Sequence, residues 1–239
     1  MRPLYSLAAI AISAILLNLL NPVLADPALL NSGAVDKTFE QNNRFAARGS
    51  IDGTSSGWAI ESFPINQPDG TIDQSVVWPL ASPISMPIQG RNLLLNFTLS
   101  CTSAEASRHS LGHFQLSYTV DTSPDLSSAA VPMIPNSLTA SDSGIFFTLV
   151  NAEVIVGGVN PNQVIYDLQF VLDDISNDIT GFRLDVFDDN GTSLDSLNGL
   201  PTGGPGRASN GNFVLTHVNV DYFYVIPARS LPPIFERSP

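Results

Sequence analysis

Residues 92–101 read Asn92-Leu93-Leu94-Leu95-Asn96-Phe97-Thr98-Leu99-Ser100-Cys101. In an extended chain Leu93, Leu95, Phe97, Leu99 and Cys101 fall on one face, and Leu94, Asn96, Thr98 and Ser100 on the other. Strict alternation over ten residues is the signature of a half-buried strand, with Cys101 turned into the core. The rule repeats at 113–120, where Phe114, Leu116, Tyr118 and Val120 point inward and Gln115, Ser117 and Thr119 outward. It recurs at 163–172, through Val164, Tyr166, Leu168, Phe170 and Leu172, and at 180–187, through Phe182, Leu184 and Val186. Further strands are expected at 144–150, 152–157 and 212–226, with shorter ones at 57–62 and 74–80.

Turn signals separate these runs: Pro68-Asp69-Gly70, Gly157-Gly158, Asn160-Pro161-Asn162, Asp189-Asn190-Gly191 and Gly203-Gly204-Pro205-Gly206. No helical period is sustained beyond residue 25. Many short strands with such punctuation predict an all-β fold, a jelly-roll β-sandwich. The expected organisation is a first β-block at 26–120, a Ser/Pro/Ala/Thr-rich linker or long loop at 121–142, and a second block at 143–227. The two blocks are read as halves sharing one core, followed by a loosely held tail at 228–239.

The 239 residues carry 10 Lys+Arg against 22 Asp+Glu, a formal charge of −12. With Lys37 the only lysine, the basic footprint that nucleic-acid backbones require is missing, and anionic membrane surfaces are disfavoured. One cysteine excludes an internal disulfide and any cysteine-based metal cluster.

Residues 1–25 read as a secretory signal peptide. Arg2 supplies the positive start, Leu7 to Leu20 the apolar run, and Val23-Leu24-Ala25 the cleavage site. The protein is therefore expected to be secreted or to reside in the periplasm or cell envelope. No second long apolar run follows, so no membrane span is expected after cleavage.

Several motifs carry a family resemblance. Thr38-Phe39-Glu40-Gln41, Ser50-Ile51-Asp52-Gly53, Gly57-Trp58-Ala59-Ile60 and His109-Ser110-Leu111-Gly112-His113-Phe114-Gln115-Leu116-Ser117 form one group. Ile179-Thr180-Gly181-Phe182-Arg183-Leu184, Gly203-Gly204-Pro205-Gly206-Arg207 and Asn210-Gly211-Asn212-Phe213-Val214-Leu215-Thr216 form a second. Together they resemble a planctomycete-type exported module that accompanies cytochrome-c-like domains. The resemblance implies a discoidin or galactose-binding-like (F5/8 type C-like) β-sandwich. Two departures stand out: His113 and Gln115 replace the family's arginines, and the glycine-proline-arginine block comes second instead of first. No haem-attachment motif accompanies Cys101.

The resemblance implies a non-catalytic binding module, docking a carbohydrate or an extracytoplasmic protein through loops at one sandwich end. Candidate contacts are Trp58, as core anchor or stacking platform, and His109, Arg207, Asn210 and Asn212 as hydrogen-bonding groups. Arg207 has a planar fork suited to a hydroxyl-rich or carboxylate ligand, or to a structural tie with an acid. The alternative is a structural or assembly protein of the cell surface with calcium-stabilised acidic loops. Asp185, Asp188, Asp189, Asn190 and Asp195 supply hard oxygen donors for Ca2+, although Val186 breaks the calcium-loop consensus.

Enzymatic signatures fail on context. Gly53-Thr54-Ser55-Ser56-Gly57 matches a nucleophile elbow in letters but leads into a short strand, with His217 on a strand surface. His109 and His113 would converge on a metal only on a helix. No phosphate cradle is present, and no catalytic residue is assigned.

Overall fold

A computed structural model describes residues 26–31, 35–37, 45–52, 57–59, 72–85, 87, 91–173, 175–187, 205–208 and 211–226. The signal segment 1–25 and the whole tail at 228–239 lie outside this set. The strands in chain order are β1 (Asp26–Pro27), β2 (Asp36–Lys37), β3 (Trp58–Ala59), β4 (Ile72–Ile84), β5 (Asn92–Cys101), β6 (His113–Thr119) and β7 (Ala130–Pro132). They continue with β8 (Ser137–Ala140), β9 (Ile145–Val150), β10 (Glu153–Gly158), β11 (Val164–Leu172), β12 (Ile179–Phe187), β13 (Val214–Leu215) and β14 (His217–Val225). Among the described residues a 3-10 turn spans Ala47–Ser50.

Two sheets build a jelly-roll sandwich. One runs β1-β14-β5-β11-β8; the other runs β2-β4-β12-β6-β10-β9, with β7 alongside the far half of β6. The chain crosses between sheets from β4 to β5 to β6, and again from β10 to β11 to β12, so the strongest alternating segments face each other across the core. Leu93, Leu95, Phe97 and Leu99 of β5 and Tyr166, Leu168 and Phe170 of β11 meet Phe114, Leu116, Phe182 and Leu184 in one continuous buried cluster. Phe97 packs edge-on against both Phe170 (5.5 Å between centroids) and Phe182 (4.9 Å). Such edge-to-face pairs add about 1 kcal/mol beyond area burial.

The register of β5 is continuous on both sides. Val164 to Leu172 pair with Cys101 to Leu93, and His217 to Val225 pair with Ser100 to Asn92. Two expectations need correction. The 121–142 stretch is no mere linker, because Val131 pairs with Tyr118 in β7 and Leu138 with Leu168 in β8. Its Ser-Leu-Thr-Ala alternation was too short to stand out beside its prolines. The 212–226 run is also two strands, broken at Thr216, whose hydroxyl donates to Ser100 O at 2.8 Å.

Candidate functional site

Of the residues singled out by the sequence, His109, Arg207 and Asn212 meet at one end of the sandwich, where the β5–β6, β10–β11 and β12–β13 connections lie. Backbone bonds stitch two of these together: Arg207 N donates to Ser110 O (2.8 Å), Gly112 N to Pro205 O (2.8 Å) and Val214 N to His109 O (2.8 Å). Asn160 ties in the third. Its Nδ2 donates to Arg207 O at 2.6 Å and Arg108 O at 3.1 Å, while its Oδ1 accepts from Ser110 Oγ at 3.1 Å. Sequence reading placed Asn160 only in a turn, since its partners lie far away in the chain.

Arg207 is buried, 4% exposed, and reaches backbone carbonyls instead of an acid or an open cleft. Nη1 donates to Val159 O and Nη2 to Gly158 O, each at 2.6 Å. Its Nε is buried without a hydrogen-bond partner. Beside it the Tyr166 hydroxyl donates to Leu111 O at 3.2 Å. Burial holds the guanidinium below its ordinary pKa, opposed by the Tyr166 phenol. The same desolvation pushes Tyr166 upward and drives the Cys101 thiol up to about 12.

The other expected contacts are also structural. Trp58 is wholly buried, packed edge-on against Phe213 at 5.1 Å, and so cannot stack on a ligand. The pairing of β3 with β13 puts Trp58 opposite Leu215, which draws the ring inside. Asn212 is buried, its Oδ1 accepting from Phe213 N at 2.8 Å. His109 is half-buried with Nδ1 against Ser107 O at 2.8 Å. Asn210 and Ser55 lie outside the described residues. Pro205, Gly206 and Arg207 therefore build the end of the sandwich, and the buried members of the expected set, Trp58, Arg207 and Asn212, are withdrawn as ligand contacts.

The metal reading changes similarly. Asp185 is buried on the outer face of the second sheet, where its Oδ1 accepts from Arg183 Nε at 2.7 Å and from Ser75 Oγ. Arg183 extends the network to Ser75 Oγ (3.1 Å) and Leu126 O (3.3 Å). A cation at Asp185 would face a guanidinium, so this residue does not fit the calcium set; Asp188, Asp189, Asn190 and Asp195 lie outside the described residues. His113 pairs with Glu153 at 3.0 Å and lies over Phe187 at 4.6 Å, away from any shared site with His109. Among the described residues no three metal-ligating side chains cluster.

An open polar groove lies elsewhere, on the outer face of the five-stranded sheet. It has a volume of about 380 Å³ and is lined by Asn96, Thr98, Ser137, Thr139, Asp167, Gln169 and Asp221. Cross-strand register builds it in rungs. Gln169, Asn96 and Asp221 stand abreast, as do Asp167, Thr98 and Asn219, while Val171, Leu94 and Phe223 form an apolar rung alongside. The polar groups hold one another: Gln169 Nε2 donates to Asn96 Oδ1 (3.1 Å), Thr98 Oγ1 to Asp167 Oδ1 (2.9 Å) and Asn219 Nδ2 to Asp221 Oδ2 (3.0 Å). Each pair leaves further donors or acceptors at the surface: the Asn96 amide N–H, the Gln169 carbonyl and second carboxylate oxygens.

The fold places this chain among β-sandwich proteins. No family model matches it, and no curated protein does. Solved structures give distant likenesses. One is the family 32 carbohydrate-binding module of Clostridium perfringens NanJ in complex with galactose, at 10% identity and TM-score 0.41, covering 84% of this chain and 100% of that one. A second is CBM32-3 from a Clostridium perfringens family 31 glycoside hydrolase, at 10% identity and TM-score 0.40, covering 80% and 94%. CpGH89CBM32-5 from the same species, in complex with GalNAc-beta-1,3-galactose, gives 13% and 0.37, covering 82% and 99%. At these scores the likeness carries nothing about ligand or site, and the sandwich is read from its own two sheets. Among the described residues no helix is long and apolar enough to cross a membrane.

Proposed function

We propose that the chain is an exported, non-catalytic binding module that holds a neutral carbohydrate across the outer face of its five-stranded sheet. The observation that carries this reading is the groove over β14, β5, β11 and β8, with amides, hydroxyls and carboxylates in register beside Phe223. A sugar ring needs that combination, since each hydroxyl donates and accepts while the C–H face seeks an apolar edge. Asp167 and Asp221 suit hydroxyl donors and oppose anionic glycans. Rigid strands present these groups without ordering a loop, which lowers the entropic cost of binding. Export rests on the signal-like character of residues 1–25.

Titrating neutral oligosaccharides into the full chain by calorimetry tests the reading. Gln169→Ala and Asp221→Ala are expected to weaken binding about 3- to 10-fold each, the value of one or two surface hydrogen bonds. An array of neutral glycans without a binder, or binding indifferent to both changes, would refute it. A second reading, a surface assembly protein, is favoured by one observation: the unguarded edge at β9.

A further inference from the structure

Exposed sheet edges invite pairing with another strand, and proteins guard them with charge, proline, bulges or brevity. Most edges of this sandwich are guarded. β1 carries Pro27, β2 is two charged residues, Asp36 and Lys37, β7 ends at Pro132, and β8 is four residues long behind Pro135. β9 has none of these devices. It reads Ile145-Phe146-Phe147-Thr148-Leu149-Val150, without charge, proline or glycine, and pairs with β10 through six consecutive residues without a bulge. Among the described residues its far side has no strand partner, because β9 ends the sheet. Phe146, Leu149 and Val150 are 48%, 44% and 41% exposed.

We propose that β9 is the pairing edge of a two-fold homodimer, adding antiparallel to β9 of a second copy. The match follows from the pleat. A two-fold axis perpendicular to a continuous sheet keeps inner and outer faces in common, so opposed residues must share parity along the strand. Centring the axis on Thr148 sets Phe146 opposite Val150 and Phe147 opposite Leu149, in both copies, with the two Thr148 hydroxyls facing each other. Moving the axis to Phe147 leaves Phe146 against Thr148 and Val150 against Gly144. The Thr148 register alone pairs every large apolar side chain from 146 to 150 with another. Aromatic and branched cross-strand pairs of this kind stabilise antiparallel sheets.

Charge selects the same surface. A chain at −12 repels its own copies, so self-association is confined to a place where no charge meets charge. β9 is such a place, since the nearest acids in sequence, Asp142 and Glu153, lie beyond both its ends. The union would join two seven-stranded sheets into one and leave both carbohydrate grooves, on the opposite layer, uncovered.

Sedimentation velocity on the full chain at micromolar concentrations tests the proposal. A dimer that tightens as salt rises is expected, because screening removes the repulsion between acidic bodies while the strand contact persists. Thr148→Lys, at an exposed strand position, places like charges face to face on the axis and is expected to weaken dimerisation by about 100-fold or more, some 2.7 kcal/mol, with an unchanged circular dichroism spectrum. Under mild oxidation Thr148→Cys is expected to form an intermolecular disulfide, whereas Val150→Cys, which faces Phe146, is not. A chain that is monomeric at every concentration and salt level, a dimer indifferent to Thr148→Lys, open-ended fibres, or equal crosslinking of both cysteine variants would each overturn the proposal.

Discussion

Nη2 of Arg207 donates to the carbonyl of Gly158 at 2.6 Å, and this bond, with its twin to Val159, fastens the β12–β13 connection beneath the β10–β11 turn. A buried cation held by carbonyls is a positioning device, since two peptide oxygens that would otherwise be stranded are satisfied at once. Arg207→Ala is expected to cost about 3 kcal/mol in urea unfolding, the range for charged hydrogen bonds lost from a buried site. Arg207→Lys should recover less than half, because one ammonium cannot reproduce a planar fork. Glycan titration of the folded variants should match the parent.

Gly206 predicts a second sensitivity at the same end. A Cβ there would collide with the Asn212 carbonyl, which belongs to the backbone and cannot swing aside. Gly206→Ala is expected to lose about 2 kcal/mol, read as a lowered melting temperature. A melting point equal to the parent's would mean that the loop has room the packing does not display.

Trp58→Ala distinguishes core from ligand platform. Removal of a wholly buried indole beside Phe213 should destabilise by about 4 kcal/mol. At temperatures where the variant stays folded, carbohydrate affinity should be unchanged. Selective loss of binding would return Trp58 to the ligand.

Alkaline pH should unfold this protein earlier than its acidic composition suggests. The Cys101 thiol titrates at about 12 in the fold against 9.0 for the free group, and burial also raises Tyr166. Above pH 9 the unfolded chain loses the cysteine proton that the folded chain keeps, so stability is full below that value and falls as pH rises toward 12. The slope is about 1.4 kcal/mol per pH unit for each group fully in its window. Denaturant midpoints from pH 8 to 11 should therefore decline, less steeply in Cys101→Ala.

The sandwich was legible in the sequence wherever alternation ran long. Leu93 to Cys101 and Val164 to Leu172 were read independently as strands with one apolar face, and they pair residue for residue. Short strands were not legible: Ser137–Ala140 lies among prolines and acquires its partner only through β11. The site was legible as residues but not as orientation. The sequence marked Arg207, Trp58 and Asn212 as unusual, yet a motif needed to build a loop and one needed to bind a ligand use the same letters. The groove was invisible for a different reason. Asn96, Gln169 and Asp221 become neighbours through register alone, and nothing local in any of the three strands announces the other two.

The placement of β5 between β11 and β14 also sets a timetable for folding. Its ten residues emerge early, but Leu95 has no neighbour until Phe170 exists and none on its other side until Tyr222. Closing such distant pairs makes folding slow, because loop entropy must be overcome before any ladder forms. A fragment ending near residue 160 would hold this strand, with its buried leucines and Phe97, with both flanks bare. The five-stranded sheet thus stays incomplete until nearly its last strand is available, and a sheet in that state can still be drawn out and threaded through a narrow channel.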